Sequence, residues 1–295
     1  ILIGYFNLRT TGTPLTMIIY NTNQHSKDYS KTKNLMRPSH GDFTGYIKYK
    51  GFNDYRGGGH FSGRITAPLV FAGAICKQIL KEKGIIIGSH IKSIKNIEDE
   101  DFNDENLCKV TLENLRKVTF PVIDSSSGEE MQELIRNARV IKDSVGGIIE
   151  CVAINLPAGI GDPFFDSVES TLSSLLFSIP GVKGVEFGEG FHITKLYGSE
   201  ANDEYMMNQG KIITTTNNNG GILGGITSGM PLIFRVAMKP TPSIGKIQKT
   251  IDISTMEDST IEIVGRHDPC IVVRALPVIE AATAIAILEL VKEME

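Results

Sequence analysis

The sequence predicts an α+β fold, with mostly antiparallel strands packed on internal helices. Three observations predict it. A strand, a helix and a strand follow in order over Gly147–Leu156, Asp166–Ser178 and Val182–Phe187, while strands elsewhere look antiparallel, which argues against a doubly wound sheet. The closing helix, Pro277 to Glu293, is apolar on most faces and therefore buried. With 295 residues, 41% hydrophobic and 22% charged, the chain can bury a large core.

Taken in order, Leu15 to Tyr20 reads as a strand after the turn Thr10 to Pro14. The polar stretch Asn21 to Asn34 reads as an exposed loop. Thr66 is the expected N-cap of a helix with Pro68 in its first turn, stopping at Gly84. Within it Ala72, Gly73 and Ala74 let another backbone pack close. The segment from Ile91 to Asn106, with Glu98 to Asp101 all acidic, reads as a solvated loop. Ser127 with Glu130 makes a capping-box pattern, and apolar residues at helical spacing follow, so a helix is expected over 129–143. Gly198 to Asn219 reads as a long mobile loop, in which Met206 and Met207 are packing residues. Strands are expected at Leu232–Met238 and Thr260–Val264.

Bulk composition bounds the chemistry. The net charge of −4 argues against non-specific nucleic-acid binding, so an anionic ligand needs local basic clusters. Cys76, Cys108, Cys151 and Cys270 lie far apart with no CxxC pair, which indicates neither a zinc site nor a disulfide framework and fits a reducing, cytoplasmic setting. The apolar run near Ala281 to Leu290 is too short to span a bilayer. The chain opens Ile1-Leu2-Ile3-Gly4 without Met, as though entered partway through a domain.

Two stretches carry the candidate chemistry. Arg56 to Arg64 (RGGGHFSGR) places two arginine forks around three successive glycines, which imply an unusual backbone path or a close approach. Gly265 to Cys270 (GRHDPC) places Arg266 beside two proton-transfer groups, His267 and Asp268. Arg37 to Asp42 (RPSHGD) sets a cation, an imidazole and a carboxylate in one turn. Lys239 begins a rigid, hydroxyl-bearing Pro-Thr-Pro-Ser loop suited to phosphate. His25, His90 and His192 have no such company and read as ordinary surface or core residues. No dinucleotide or P-loop fingerprint, nucleophile elbow or HExxH spacing occurs. The residues alone indicate an enzyme or binding protein for a multiply anionic ligand.

Seven runs together resemble the chorismate synthase family: RPSHGD (37–42), DYRGGGHFSGRITA (54–67), DSVGG (143–147), GVKGVEFGEGF (181–191), NNNGGILGGITSG (217–229), KPTPSI (239–244) and GRHDPCIVVRALPVIEA (265–281). The resemblance implies a β-α-β sandwich, a homotetramer and a reduced FMN cofactor, with NADPH entering indirectly, for flavin reduction. It implies anti-1,4-elimination of phosphate from 5-enolpyruvylshikimate 3-phosphate to give chorismate. By motif, His40 protonates or hydrogen-bonds the reduced flavin and Asp268 assists deprotonation around it. Arg37, Arg64 and Arg266 bind substrate anions. His60, Phe61, Ser62, Pro180, Gly181, Gly224, Arg266, Lys239, Pro240, Thr241, Pro242 and Ser243 line the flavin.

The match has departures. Many members read RGGGRSSARETA, from which His60, Phe61 and Gly63 differ. The family also opens with a G-E-S-H-G motif and an R-R-R-P-G stretch inside roughly seventy further residues, neither of which occurs in this sequence. The resemblance therefore implies one domain over 1–295 lacking that N-terminal part, and poor turnover by this stretch alone. A folded flavin- or anion-binding remnant is the competing expectation.

Overall fold

A computed structural model describes residues 1–22, 33–103, 105–263 and 268–293, with the backbone alone at 56–58. The elements run β1 Tyr5–Phe6, β2 Arg9–Thr10, α1 Asp42–Lys48, α2 Ala67–Glu82, β3 Ile86–Ile94 and β4 Ile97–Glu98. Next come α3 Lys109–Leu115, α4 Ser125–Val140, β5 Gly147–Ile154, α5 Val168–Phe177, β6 Val182–Phe187 and α6 Gly198–Ala201. The chain closes with β7 Tyr205–Asn208, β8 Lys211–Thr214, β9 Ile222–Leu223, β10 Ile226–Thr227, β11 Leu232–Met238, β12 Gln248–Asp252, β13 Glu257–Ile261 and α7 Val272–Lys292.

One five-stranded antiparallel sheet, ordered β4-β3-β5-β11-β6, is the centre of the molecule. Since β5 and β6 both run antiparallel to β11, they are parallel to each other, and β5-α5-β6 is a split β-α-β unit with β11 between its strands. Period-2 alternation gives β11 one fully buried face, made by Leu232, Phe234, Val236 and Met238. Helices α2, α5 and α7 join that face in one core cluster. Leu112 and Leu115 of α3 close the opposite face over Ile86 and Val152. Thus β3 is buried on both sides.

The close packing expected at Ala72 to Ala74 occurs: a Cβ built on Gly73 would sit 2.3 Å from Cβ of Ala281, so α2 and α7 touch backbone to backbone. The closing helix begins at Val272, five residues before Pro277, which lies inside it. Proline removes one helical hydrogen bond there, but fifteen buried positions along α7 hold the helix together.

Several expectations are corrected. Leu15 to Tyr20 forms no strand; Thr16 makes a single bridge to Ile3. α4 starts at Ser125 because Asp124 is its cap, accepting from the N–H groups of Ser126 and Ser127 at 3.1 and 2.8 Å. A carboxylate one turn earlier outcompetes the Ser127 hydroxyl, which donates to Asp99 instead. Residues 205–214 are a β7–β8 hairpin rather than a loop, turned through Gln209 and Gly210 at φ 48° and 80°. The strand expected at Thr260–Val264 starts and ends earlier, at Glu257–Ile261; Val264 lies outside the described residues.

The acidic segment is the largest correction. Glu98 and Glu100 are exposed as expected, but Asp99 is buried beside a fully buried His90. His90 bonds Asp99 Oδ2 through Nδ1 (2.9 Å) and Glu150 Oε2 through Nε2 (3.0 Å). Asp99 also accepts from the N–H groups of Ile123 and Asp124 and from Ser127 Oγ. Burial pulls the His90 imidazole down, but its two carboxylate partners outweigh this and raise it above the ordinary value. Far from bland, His90 ties β3 to β5 and to the start of α4.

Candidate active site

Antiparallel pairing sets Ile94 opposite Gly147, Gly147 opposite Met238, and Met238 opposite Val182. One end of the sheet therefore gathers the loops that leave these strands: Asp143–Gly146, Pro180–Gly181 and Lys239–Ser243. Backbone contacts lock them together. Lys239 N donates to Gly181 O (2.9 Å), Ser144 Oγ to Thr241 O (2.7 Å), and Gly245 N to Lys142 O (3.1 Å). No side chain fits at Gly146, where a Cβ would lie 2.3 Å from the Met238 carbonyl oxygen and 3.0 Å from Pro240.

The Arg37–Asp42 turn is docked onto this end. Met36 N donates to Ile251 O at 3.3 Å, and Thr250 Oγ1 donates to Met36 O, so residues before the turn run beside β12. Lys239 Nζ donates to Ser39 O at 2.6 Å. Ser39 has φ 57°, a left-handed conformation rare for residues with a side chain. That kink presents His40, whose Nδ1 lies 2.7 Å from Asp42 Oδ1. Arg37 grips the same carboxylate, its Nε at 2.6 Å and Nη2 at 2.8 Å. Burial pushes the Asp42 carboxyl up, but the hydrogen bonds and charges of Arg37 and His40 outweigh it and hold it well below the usual carboxylate range. Arg37 thus closes on Asp42 through two of its nitrogens.

The glycine run coils into a 3-10 helix, Arg56–Phe61, and delivers Phe61 against α1. A Cβ at Gly41 or Gly45 would lie 2.7 or 2.6 Å from its ring, which meets His40 edge-on at 6.4 Å between centroids. Ser62 caps the next turn by accepting from Arg64 N at 3.3 Å. His60 and Arg64 are exposed, and no bond to either side chain links them to this group among the described residues.

Asp268 joins from the other side. Val145 N donates to Pro269 O (2.8 Å), and a Cβ on Gly181 would touch Ile271. The Asp268 carboxylate accepts from Cys270 N (3.3 Å) and pairs with Arg274 Nε (3.1 Å). His40 and Asp268 therefore hang from one loop system, the first through Lys239 and the second through Val145. Arg266 and His267 lie outside the described residues. Gly224 does not join. It sits in the β9–β10 turn, whose Gly221 packs on Pro231 and whose Thr227 O accepts from Gly159 N, at the opposite end of β11 about 20 Å away.

Lys183, on β6, is a cation that the sequence reading passed over. Burial and the charge of Lys183 push the Lys239 ammonium below the usual lysine value. Among the described residues neither lysine has a carboxylate partner, and the buried Thr241 Oγ1 has no hydrogen-bond partner. A pair of cations without a carboxylate partner among the described residues, one of them on a loop that also carries an unsatisfied hydroxyl two residues from Lys239, suits a phosphate. This donor set fits the phosphate of a flavin mononucleotide.

Comparison with known proteins decides the family. The chorismate synthase family model matches residues 1–291. This chain belongs to the chorismate synthase family. A chorismate synthase of Thermococcus kodakarensis is 46% identical over 288 residues, covering 97% of this chain and 79% of that protein. Those of Pyrococcus abyssi and Methanobrevibacter smithii are each 48% identical, over 96% and 97% of this chain and 78% of their own length. A crystal structure of chorismate synthase superposes with a TM-score of 0.70 at 30% identity, covering 85% of this chain and 70% of that one. Membership makes the chain a lyase of the shikimate pathway, in aromatic amino-acid biosynthesis, and favours a chorismate synthase function over a binding remnant. No helix among the described residues is long and apolar enough to cross a membrane.

Proposed function

We propose that this chain carries out the reduced-FMN-dependent anti-1,4-elimination of phosphate from 5-enolpyruvylshikimate 3-phosphate, yielding chorismate. One observation carries the reading: Lys239 and Lys183 lie close enough for the charge of one to lower the other, and the buried Thr241 hydroxyl two residues along the loop lacks a hydrogen-bond partner, a combination that an anionic phosphate relieves. Lys239, Thr241 and the backbone N–H of Gly181 would hold the cofactor's phosphate end, and Phe61 would wall its ring system. Bound reduced flavin would supply transient electron density and a proton acceptor, with no net redox change.

The chain's own residues do the rest. Arg64 and Arg266 bind substrate anions, and an arginine near the departing phosphate stabilises the charge that develops there. His40 offers Nε2 to the reduced cofactor, protonating it from the cationic ring or accepting a hydrogen bond there when neutral. Asp268, anchored by Cys270 N, serves the proton removed from the substrate ring. The family's tetramer and its cytoplasmic setting complete the proposal. Anaerobic assay of phosphate release with and without added reduced FMN tests it. Release that depends on reduced FMN is expected; no release from folded protein at saturating cofactor overturns the reading for this chain.

A further inference from the structure

The family reading assigns a part to His40 but none to Asp42, whose carboxylate lies closest to the His40 ring. We infer that Asp42 is a positioning residue that fixes the tautomer of His40, keeping the proton on Nδ1 and offering Nε2 to the reaction. The inference rests on the reading of His40 as the group that serves the cofactor.

An ionised carboxylate can accept but cannot donate. Asp42 is held ionised by Arg37, which closes on it with Nε and Nη2 and also through its backbone N–H at 3.2 Å. The contact of 2.7 Å between Asp42 Oδ1 and His40 Nδ1 therefore requires the proton to reside on Nδ1. Nε2 is left with its lone pair, or in the cationic ring with the exchangeable proton.

Position is fixed as firmly as protonation. Lys239 holds the Ser39 carbonyl just before the ring, and the left-handed Ser39 sets the direction of the chain there. Phe61 blocks one side edge-on, and the space beside Gly41 and Gly45 is filled by that ring. With the backbone, one nitrogen and one side fixed, the ring keeps Nε2 without a hydrogen-bond partner among the described residues. Arg37 acts on the ring through Asp42, which two of its guanidinium nitrogens hold.

Asp42→Asn tests this. The carboxamide is nearly isosteric and keeps an oxygen for Arg37, but its NH2 can donate to Nδ1 and favours the opposite tautomer. The readout is the nitrogen-15 shifts of the His40 imidazole at about pH 9, where an ordinary ring is neutral. Parent protein is expected to show a protonated Nδ1 and a bare Nε2. The Asn variant is expected to move the proton to Nε2 and to lose turnover by about 100-fold or more, with circular dichroism and reduced-FMN affinity unchanged, and Asp42→Glu to restore part of both signals. A parent ring protonated on Nε2, or an Asn variant that keeps Nδ1–H, overturns the inference whatever turnover does. A tautomer that inverts while His40→Ala retains full turnover overturns instead the reading of His40 on which it rests.

Discussion

Asp268 is held by a backbone N–H and by Arg274, whose side chain is 81% exposed, so the ion pair between them is screened and weak. Replacing Arg274 should therefore matter little to folding, whereas Asp268→Asn in folded protein is expected to lower turnover by about 10²–10⁴-fold. Steady-state phosphate release measures it, and full activity in the Asn variant removes Asp268 from the chemistry. Much of this group was legible in the sequence. Arg37, His40 and Asp42 lie within six residues, so one turn had to bring them together. That Arg37 closes on Asp42 was not legible, because a fork between neighbours and a fork around a ligand use the same residues. Lys183 was hidden for another reason: it lies 56 positions from Lys239, and the edge pairing of β6 with β11 brings them close.

Helix α7 illustrates what apolar patterning reveals and where it stops. Its burial followed from the sequence, as did close packing of some backbone on Ala72–Ala74, but the pairing of α2 with α7 and the start of α7 did not. Pro277 marked a helix beginning by the usual preference for the first turn, and tertiary burial of Val272 and Leu276 overrode it. The contact between α2 and α7 offers a stability test. Gly73→Val would press Cβ to 2.3 Å from Ala281, and repacking is expected to cost about 1–3 kcal/mol, read as a lower urea midpoint at unchanged slope. An unchanged midpoint would mean that the two helices do not approach as described. The β7–β8 hairpin escaped the reading since its strands are four residues each, β7 exposed throughout and β8 buried only at its end, at Thr214, so they carry no alternating buried face to set a period.

Across the whole molecule, one sheet joins two separate tasks: its end at Gly147 and Met238 organises the loops of the site, and its α3 face buries the charges around His90. The His90 cluster sets a pH dependence. Raised when folded, His90 contributes its full stability below the ordinary value of 6.5 and loses it as pH rises through the higher folded value. Asp99, lowered when folded, contributes above 3.8 and loses its share as pH falls. Denaturant midpoints are therefore expected to be highest between these values and to decline on the alkaline side. His90→Gln is expected to abolish that decline and to destabilise by about 3–5 kcal/mol, since it leaves buried Asp99 without its cation and Glu150 with only Arg235, 4.0 Å away. Sequence could not show this cluster, whose members come from three segments and include one acid of an acidic row. The account as a whole stands on the loops at one end of the sheet forming a single anion-binding cup. Anaerobic titration of reduced FMN into parent protein and the Lys239→Met/Thr241→Val variant tests that most directly. At least about tenfold weaker binding by the variant is the expected result, as loss of a charge-assisted hydrogen bond implies; equal affinity in the two proteins would contradict it.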